Sequence, residues 1–333
     1  MTFARPFRAM VPWLATGATL TLAAAALAQA ALAQSWPTQT VRIIVPFPAG
    51  GLNDTAARLL QPHLEKAFKQ SVIVDNRPGA SGMIGTDAVA KAAPDGHMLL
   101  IVASSHTVAP ATNPKLPYNT ERDLAAIAML SKNPFLFVVN AKVPAKTLPG
   151  FIALAKKSPG KYNYSSPGAA SQNHLITELL SSRTGIKLQH VPYRGGAPAI
   201  RAVVAGEAHF SVISPLAALP HIKAGTVRAI ATGGPTRDPQ FPDVGTVAEA
   251  GFPGFEAMQW TGMLTTGGTP KPVVARINAA VNAALRDPDT IAKFKAQGVA
   301  VAGGSADDFQ KVIVSEIRSW TEVAKAVGVA AKK

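Results

Sequence analysis

Val41-Arg42-Ile43-Ile44-Val45-Pro46-Phe47-Pro48-Ala49-Gly50-Gly51-Leu52-Asn53-Asp54, residues 41–54, is the stretch from which the fold can be read. The β-branched run 41–45 suits a strand buried on both faces, and Pro46, which has no N–H to give a neighbouring strand, ends it. A glycine turn follows. Beyond Asp54, the side chains Leu60, Leu64, Ala67 and Phe68 recur at i, i+4, i+7 and i+8, which puts them on one helical face. Pro62 is expected to kink or divide that helix. The cycle then repeats: 71–74 reads as a strand, 82–93 as a helix and 98–102 as a strand. Such alternation predicts parallel strands joined by right-handed crossovers.

Phe135-Leu136-Phe137-Val138-Val139 is a further strand, and Pro144 and Pro149 beyond it mark a crossing into a second α/β unit. That unit is predicted to hold helices at 148–157, 172–184 and 197–205 and strands near 162–164, 187–191, 208–213 and 227–231. The Pro/Gly-rich segment 233–254 leads back. A strand near 258–260 and helices near 272–286, 289–296 and 306–327 complete the chain. The expected division is a first lobe of 34–138 plus 255–333 and a second lobe of 139–254.

At 333 residues, 47% of them hydrophobic, the chain can bury two such cores, which argues against disordered or fibrous classes. It contains no cysteine, so disulfides, thiolate metal sites and cysteine nucleophiles are excluded. Arg5 and Arg8 precede an uncharged apolar stretch from Met10 to Leu32, and Ala31-Leu32-Ala33 offers small residues for cleavage before Gln34. This predicts a signal peptide over 1–33 and a periplasmic destination. Removing those 33 residues with their two arginines takes the net charge from +14 to +12. Export removes nucleic acid as a partner for this basic chain, and no aromatic residues interleave with the scattered lysines and arginines as a stacking platform needs. What remains is either a field that attracts small anions or ordinary solvated charge.

In parallel sheets a ligand sits beyond the carboxyl ends of the strands. Four loops at such positions stand out: 46–54; Arg77-Pro78-Gly79-Ala80-Ser81-Gly82-Met83-Ile84-Gly85; Ser165-Ser166-Pro167-Gly168-Ala169-Ala170-Ser171; and Pro192-Tyr193-Arg194-Gly195-Gly196. Each leads into a helix, whose free N–H groups attract anions. Together they predict a cleft that cradles an anion; each alone also fits a tight structural turn. A micromolar ligand needs about 8 kcal/mol, and a helix dipole gives only about 0.3–1 kcal/mol. Charge-assisted hydrogen bonds at about 1.5–3 kcal/mol each must therefore dominate.

Other chemistries are poorly supported. The spacing G-x-x-G-x-x-G at 79–85 is not a dinucleotide fingerprint, no phosphate-binding P-loop occurs, and no cofactor is expected. Gly79-Ala80-Ser81-Gly82-Met83 approaches a nucleophile elbow but has methionine where the last glycine belongs, so a hydrolase using Ser81 is a weak alternative. Histidines at 63, 97, 106, 174, 190, 209 and 221 show no H-x-x-x-H spacing, and no metal site is expected.

The ordered set WPTQTVRIIVPFPAGGLNDTAARLL, VIVDNRPGASGMIGTDAVAKAAPDGHMLL, HVPYRGGAPAI and WTEVAKAVGV resembles the Bug family of extracytoplasmic solute receptors of tripartite tricarboxylate transporters, over nearly all of 36–330. The resemblance implies an α/β, type II periplasmic-binding-protein fold: two lobes, a hinge and an interlobe ligand cleft. It implies no catalysis, a small carboxylate or related amide as ligand, integral membrane permease subunits as partners, and a monomer. A ligand-presenting sensor for a membrane signalling protein is the alternative. By the same likeness Phe47, Pro48, Ala49, Gly50, Gly51 and Asp54 reach a distal carboxylate through backbone groups and waters. Ser104 and Ser105 face the cleft by this likeness, and Ser81 of the second glycine loop is a further candidate ligand-binding residue. Ser166, Gly168, Ala169 and Ser171 grip a proximal carboxylate, with Tyr193, Arg194 and Gly195 beside them. Ala170 stands where the family often has a second glycine, 266–270 departs from its usual Pro-Ala-Gly-Thr-Pro, and His209 stands where it often has aspartate. If His209 faces the cleft, losing a carboxylate there favours a more anionic ligand.

Overall fold

The computed structural model describes residues 36–331, so the expected signal peptide lies outside the described residues. The chain runs β1 (Val41–Val45), α1 (Leu52–Phe68), β2 (Val72–Asn76), α2 (Met83–Ala90), β3 (Met98–Ala103), α3 (Ser105–Thr112) and β4 (Leu124–Pro134). Next come β5 (Leu136–Asn140), α4 (Leu148–Lys157), β6 (Asn163–Ser166), α5 (Gln172–Thr184), β7 (Gln189–Pro192), α6 (Gly196–Ala205), β8 (Phe210–Ile213), α7 (Pro215–Lys223) and β9 (Val227–Thr232). It ends with β10 (Met258–Thr266), α8 (Lys271–Leu285), α9 (Pro288–Ala296), β11 (Ala300–Val301) and α10 (Ala306–Ala326).

Two sheets result, ordered β11-β4-β10-β3-β1-β2 and β7-β6-β8-β5-β9. Strand β1 lies parallel to β2 and β3, as the alternating pattern predicts, and β6 lies parallel to β7 and β8. Side chains alternate across each sheet because successive Cβ atoms point to opposite faces. Ile43 and Val45 enter one core and Ile44 the other; Phe137 and Val139 likewise part from Leu136 and Val138. This is why the strands read as continuous apolar runs.

Three expectations need correction. Helix α1 is not divided at Pro62, which lies on the exposed face, where water can take the carbonyl that proline leaves unpaired. The first crossing falls at Phe135 and not after Val138, since β5 pairs with β8 and β9 of the second sheet. The return falls just before Met258, since Phe255 and Ala257 pack into the second core. A strand buried on both faces looks the same in either sheet, so its hydrogen-bonding partners decide the boundary. Helix α10 spans both cores, placing Phe309, Ile313 and Ile317 in the first and Trp320 and Ala324 in the second. No helix among the described residues is long and apolar enough to cross a membrane.

Candidate functional site

The carboxyl ends of β3, β6 and β8 face a cavity of about 750 Å³ between the two sheets. Five helices begin at its wall: α2 at Met83, α3 at Ser104-Ser105, α5 at Ser171-Gln172-Asn173, α6 at Gly195-Gly196 and α7 at Ser214. Their first N–H groups have no intrahelical partner, so the wall is rich in backbone donors at the positive ends of helix dipoles. Arg194 is the one charged side chain among the described residues lining the cavity. Hydroxyls and amides of Ser81, Ser104, Ser105, Thr112, Asn113, Gln172, Asn173 and Gln259 supply further polar groups, while Phe47, Val108, Phe135 and Ile213 give apolar surface.

The loop between β6 and α5 is tied down at nearly every residue. Ser166 Oγ lies 2.7 Å from His190 Nε2 and accepts from the Gly168 N–H at 3.2 Å. The Ala170 N–H donates to His174 Nδ1 at 3.0 Å, and Ser171 Oγ caps α5 by accepting from the His174 N–H at 3.3 Å. Tyr193 and Gly195 donate backbone N–H groups to Ser166 and Pro167 carbonyls. Behind the loop His190 stacks between His174, 4.0 Å away, and Tyr164, 4.8 Å away. Burial holds both imidazole pKa values down, that of His190 to about 4, so at neutral pH the rings carry the unprotonated nitrogen that His174 uses as acceptor. Ala170 sits at φ 58°, a left-handed conformation that glycine adopts more readily. The alanine is held there by its hydrogen bond to His174.

The loop between β1 and α1 is anchored at its ends only. Asn76 Nδ2 donates to the Phe47 carbonyl at 3.1 Å and to Asp54 Oδ1 at 3.0 Å, and the Gly50 N–H donates to Asp54 Oδ2 at 2.9 Å. Burial works to raise the Asp54 pKa, but hydrogen bonds from Arg58, Gly50 and Asn76 hold it below the ordinary value. Pro48, Ala49, Gly50 and Gly51 are exposed. Across the floor of the cavity, Ser104 Oγ donates to Gln172 Oε1 at 2.6 Å, and Gln172 Nε2 donates to the Met258 carbonyl at 3.1 Å. These buried bonds join the first sheet to the first turn of α5.

Of the residues expected at a site, Phe47, Ser81, Ser104, Ser105, Gly168, Ala169, Ser171, Arg194 and Gly195 line the cavity together. The others do not line it. Pro48 to Gly51 turn outward, and the Asp54 carboxylate is spent on its own loop and on Arg58. Ser166 is buried behind the loop it braces, and the Tyr193 hydroxyl reaches Glu207 at 3.4 Å. His209 precedes β8 at the amino end, whereas the cavity lies at the carboxyl end near Ile213. Its ring packs on Tyr162 and bonds Asn163, so, contrary to expectation, His209 does not face the cleft.

Sequence reading missed Asn113, Phe135, Gln172, Asn173, Ser214 and Gln259, which also line the cavity, as does Met83 of the second glycine loop. Ser214 followed by Pro215 is a capping signal that could have located α7, since serine before a first-turn proline starts helices. Phe135 carried no signal; it lines the cavity because the chain crosses between sheets there.

Relatives fit this architecture. BugT of Bordetella pertussis is 35% identical over 92% of this chain and 95% of its own length. The R. palustris protein Rpa4515, solved with adipate, superposes with a TM-score of 0.79 at 32% identity, covering 89% of this chain and 99% of that one. MatC from Rhodopseudomonas palustris, solved with bound malate, gives 0.75 at 33% identity over 86% and 99%. The fold is therefore the two-lobed type II periplasmic-binding-protein fold, with the cavity between the lobes. Residues 56–329 match the profile of the tripartite tricarboxylate transporter family receptors, TctC, and with two sheets flanking a cleft of helix N-termini the chain belongs to that family.

Proposed function

We propose that this protein is a periplasmic receptor that captures a small carboxylate between its two lobes and delivers it to the permease subunits of a tripartite tricarboxylate transporter, acting as a monomer and without catalysis. The observation that carries the reading is the lining of the cavity: five helix N-termini and Arg194, with no acidic side chain among the described residues that line it. Such a wall favours a carboxylate through several N–H donors and a guanidinium, and it provides no counter-ion for an ammonium. The relatives solved with adipate and malate hold ligands of this class. The positive net charge adds attraction for anions. The leader expected at 1–33 supports export.

Closure of the lobes about the crossings at Phe135 and before Met258 converts ligand contacts into a population shift that a permease can recognise. The test is thermal unfolding of refolded, ligand-free mature protein with mono-, di- and tricarboxylates, their amides, and cationic and uncharged controls. Ligand at 100 times its dissociation constant adds about 2.7 kcal/mol to stability, raising the midpoint by a few degrees. A rise with an acid class supports the reading. A rise only with cationic or uncharged compounds defeats it. Loss of uptake of that acid on deletion of the gene tests the transport step.

A further inference from the structure

The end of the second sheet opposite the cavity is a pole rich in lysine. Strands β6, β7, β8 and β9 start there and β5 finishes there, because β5 runs antiparallel to β8 and β9 while β6 runs parallel to β7 and β8. Hydrogen bonds join the connecting segments into one surface: the Gly160 N–H donates to the Lys187 carbonyl at 3.1 Å, the Ala141 N–H to the Thr226 carbonyl at 3.1 Å and the Asn140 N–H to the His209 carbonyl at 3.0 Å. On these segments stand Lys142, Lys146, Lys157, Lys161, Lys187 and Lys223, all exposed. Among the described residues none of the six is ion-paired, whereas Lys91, Lys293 and Lys311 of the first lobe lie 2.9, 2.6 and 3.1 Å from aspartates.

The neighbouring acids do little to offset this charge. Glu207 turns its carboxylate back to the Tyr193 hydroxyl at 3.4 Å, and Asp243, exposed between Phe241 and Val244, borders the pole beside Arg228. The Arg228 guanidinium is itself taken up by the carbonyls of Ala141, Val143 and Ala145. Burial and the Lys161 charge hold the His209 pKa below its ordinary value, so at neutral pH that ring adds no charge. Like charges without counter-ions repel one another and gain from an anionic partner. The exposed large apolar side chains among the described residues, Ile73, Ile84, Leu216 and Ile291, all lie elsewhere. Protein interfaces favour aromatic residues and arginine and are poor in lysine. Lysines on flexible stems, scattered over one face, fit instead an array of laterally mobile phosphate headgroups.

Resting on the periplasmic location in the reading above, we propose that this lysine pole is a docking surface for an anionic phospholipid bilayer, which holds the receptor at the membrane by charge alone. Docking through the pole leaves the cavity, at the other end of the sheet, free to open and close, and it confines the search for a permease to the membrane plane. With no apolar anchor, and with attraction that decays within about 8–10 Å at physiological salt, the association is reversible and salt-sensitive.

The test is co-sedimentation of the mature protein with vesicles of phosphatidylglycerol and phosphatidylcholine, and with vesicles of phosphatidylcholine alone. Binding is expected to the anionic vesicles only, and is expected to vanish at about 0.5 M salt. The triple variant Lys142→Gln, Lys146→Gln, Lys187→Gln is expected to weaken binding about 100-fold, at about fivefold per lysine. A control with the same loss of net charge, Lys66→Gln, Lys271→Gln, Lys295→Gln in the first lobe, is expected to weaken it less than about threefold. Equal loss in the two triple variants overturns the proposal, since net charge and not the pole then governs binding. Equal binding to both kinds of vesicle, or to neither, overturns it as well; capture of an acidic protein segment in place of vesicles does the same. The acid-induced thermal shift is measured on the same samples: its presence in a protein that ignores vesicles leaves the receptor reading intact, and its absence defeats that reading whatever the vesicles show.

Discussion

The two loops expected to grip a ligand from opposite lobes differ in how they are held. In the second lobe, residues 166–171 are bonded to His190, His174 and the start of α5, and the loop lines the cavity. In the first lobe, only Phe47 of the 47–54 loop lines the cavity, and Pro48 to Gly51 stand in solvent between anchors at Asn76 and Asp54. A loop whose donors are fixed before binding loses little freedom when the ligand arrives, while an exposed loop gains its contacts only on closure. Under the proposed receptor reading, the second lobe supplies a preformed half-site and the first lobe the part that closes over it.

The largest break in the comparison comes from His174→Ala. It removes the acceptor of the Ala170 N–H and a buried ring from the stack, and is expected to cost about 2–4 kcal/mol in urea unfolding. A loss below about 0.5 kcal/mol shows that the second loop is not held by this histidine. Gln172→Leu comes next, because it leaves the buried Ser104 hydroxyl unpaired at the joint between the lobes. Its expected cost is about 1–3 kcal/mol, and wild-type stability in this variant means that the floor bonds do not couple the lobes.

Asp54→Asn weakens the first loop less, by about 0.5–1 kcal/mol at neutral pH, since its Arg58 partner is half exposed. The pH dependence has a definite sign. A folded pKa below the ordinary 3.8 means that the carboxylate stabilises the protein above about that pH, and that this contribution is lost as pH falls through the folded value. The gap between wild-type and variant unfolding midpoints should therefore be present at pH 6 and close below pH 4. A gap that grows on acidification contradicts the assignment. The smallest effect belongs to His209→Ala: at the far end of β8 it should change acid affinity by less than about 0.5 kcal/mol in titration. A larger loss would put the amino end of that strand back in the site.

The alternation at 41–103 was legible because β-branched runs and 3.6-residue spacing are local signals. Strand β4 was not, since Leu124-Ala-Ala-Ile-Ala-Met-Leu130 is composed largely of good helix formers and becomes a strand through pairing with β10. Helices α3 and α7 were hidden by Pro110 and Pro220, and both begin at the cavity wall. Glycine loops at 46–54 and 165–171 announced a site. Their spacing could not tell Gly168, which lines the cavity, from Gly50, which faces solvent.

By itself the sequence determined two α/β units, glycine turns opening into helices, and a family resemblance carried on contiguous motifs, because these depend on residues near one another in the chain. Only the tertiary structure decided where the chain crosses between sheets, that five helix N-termini meet at one cavity, and that Ser104 joins Gln172 across its floor. Two residues 68 positions apart in the chain carry no local signal of their pairing. It arises when two separately folded sheets are brought face to face.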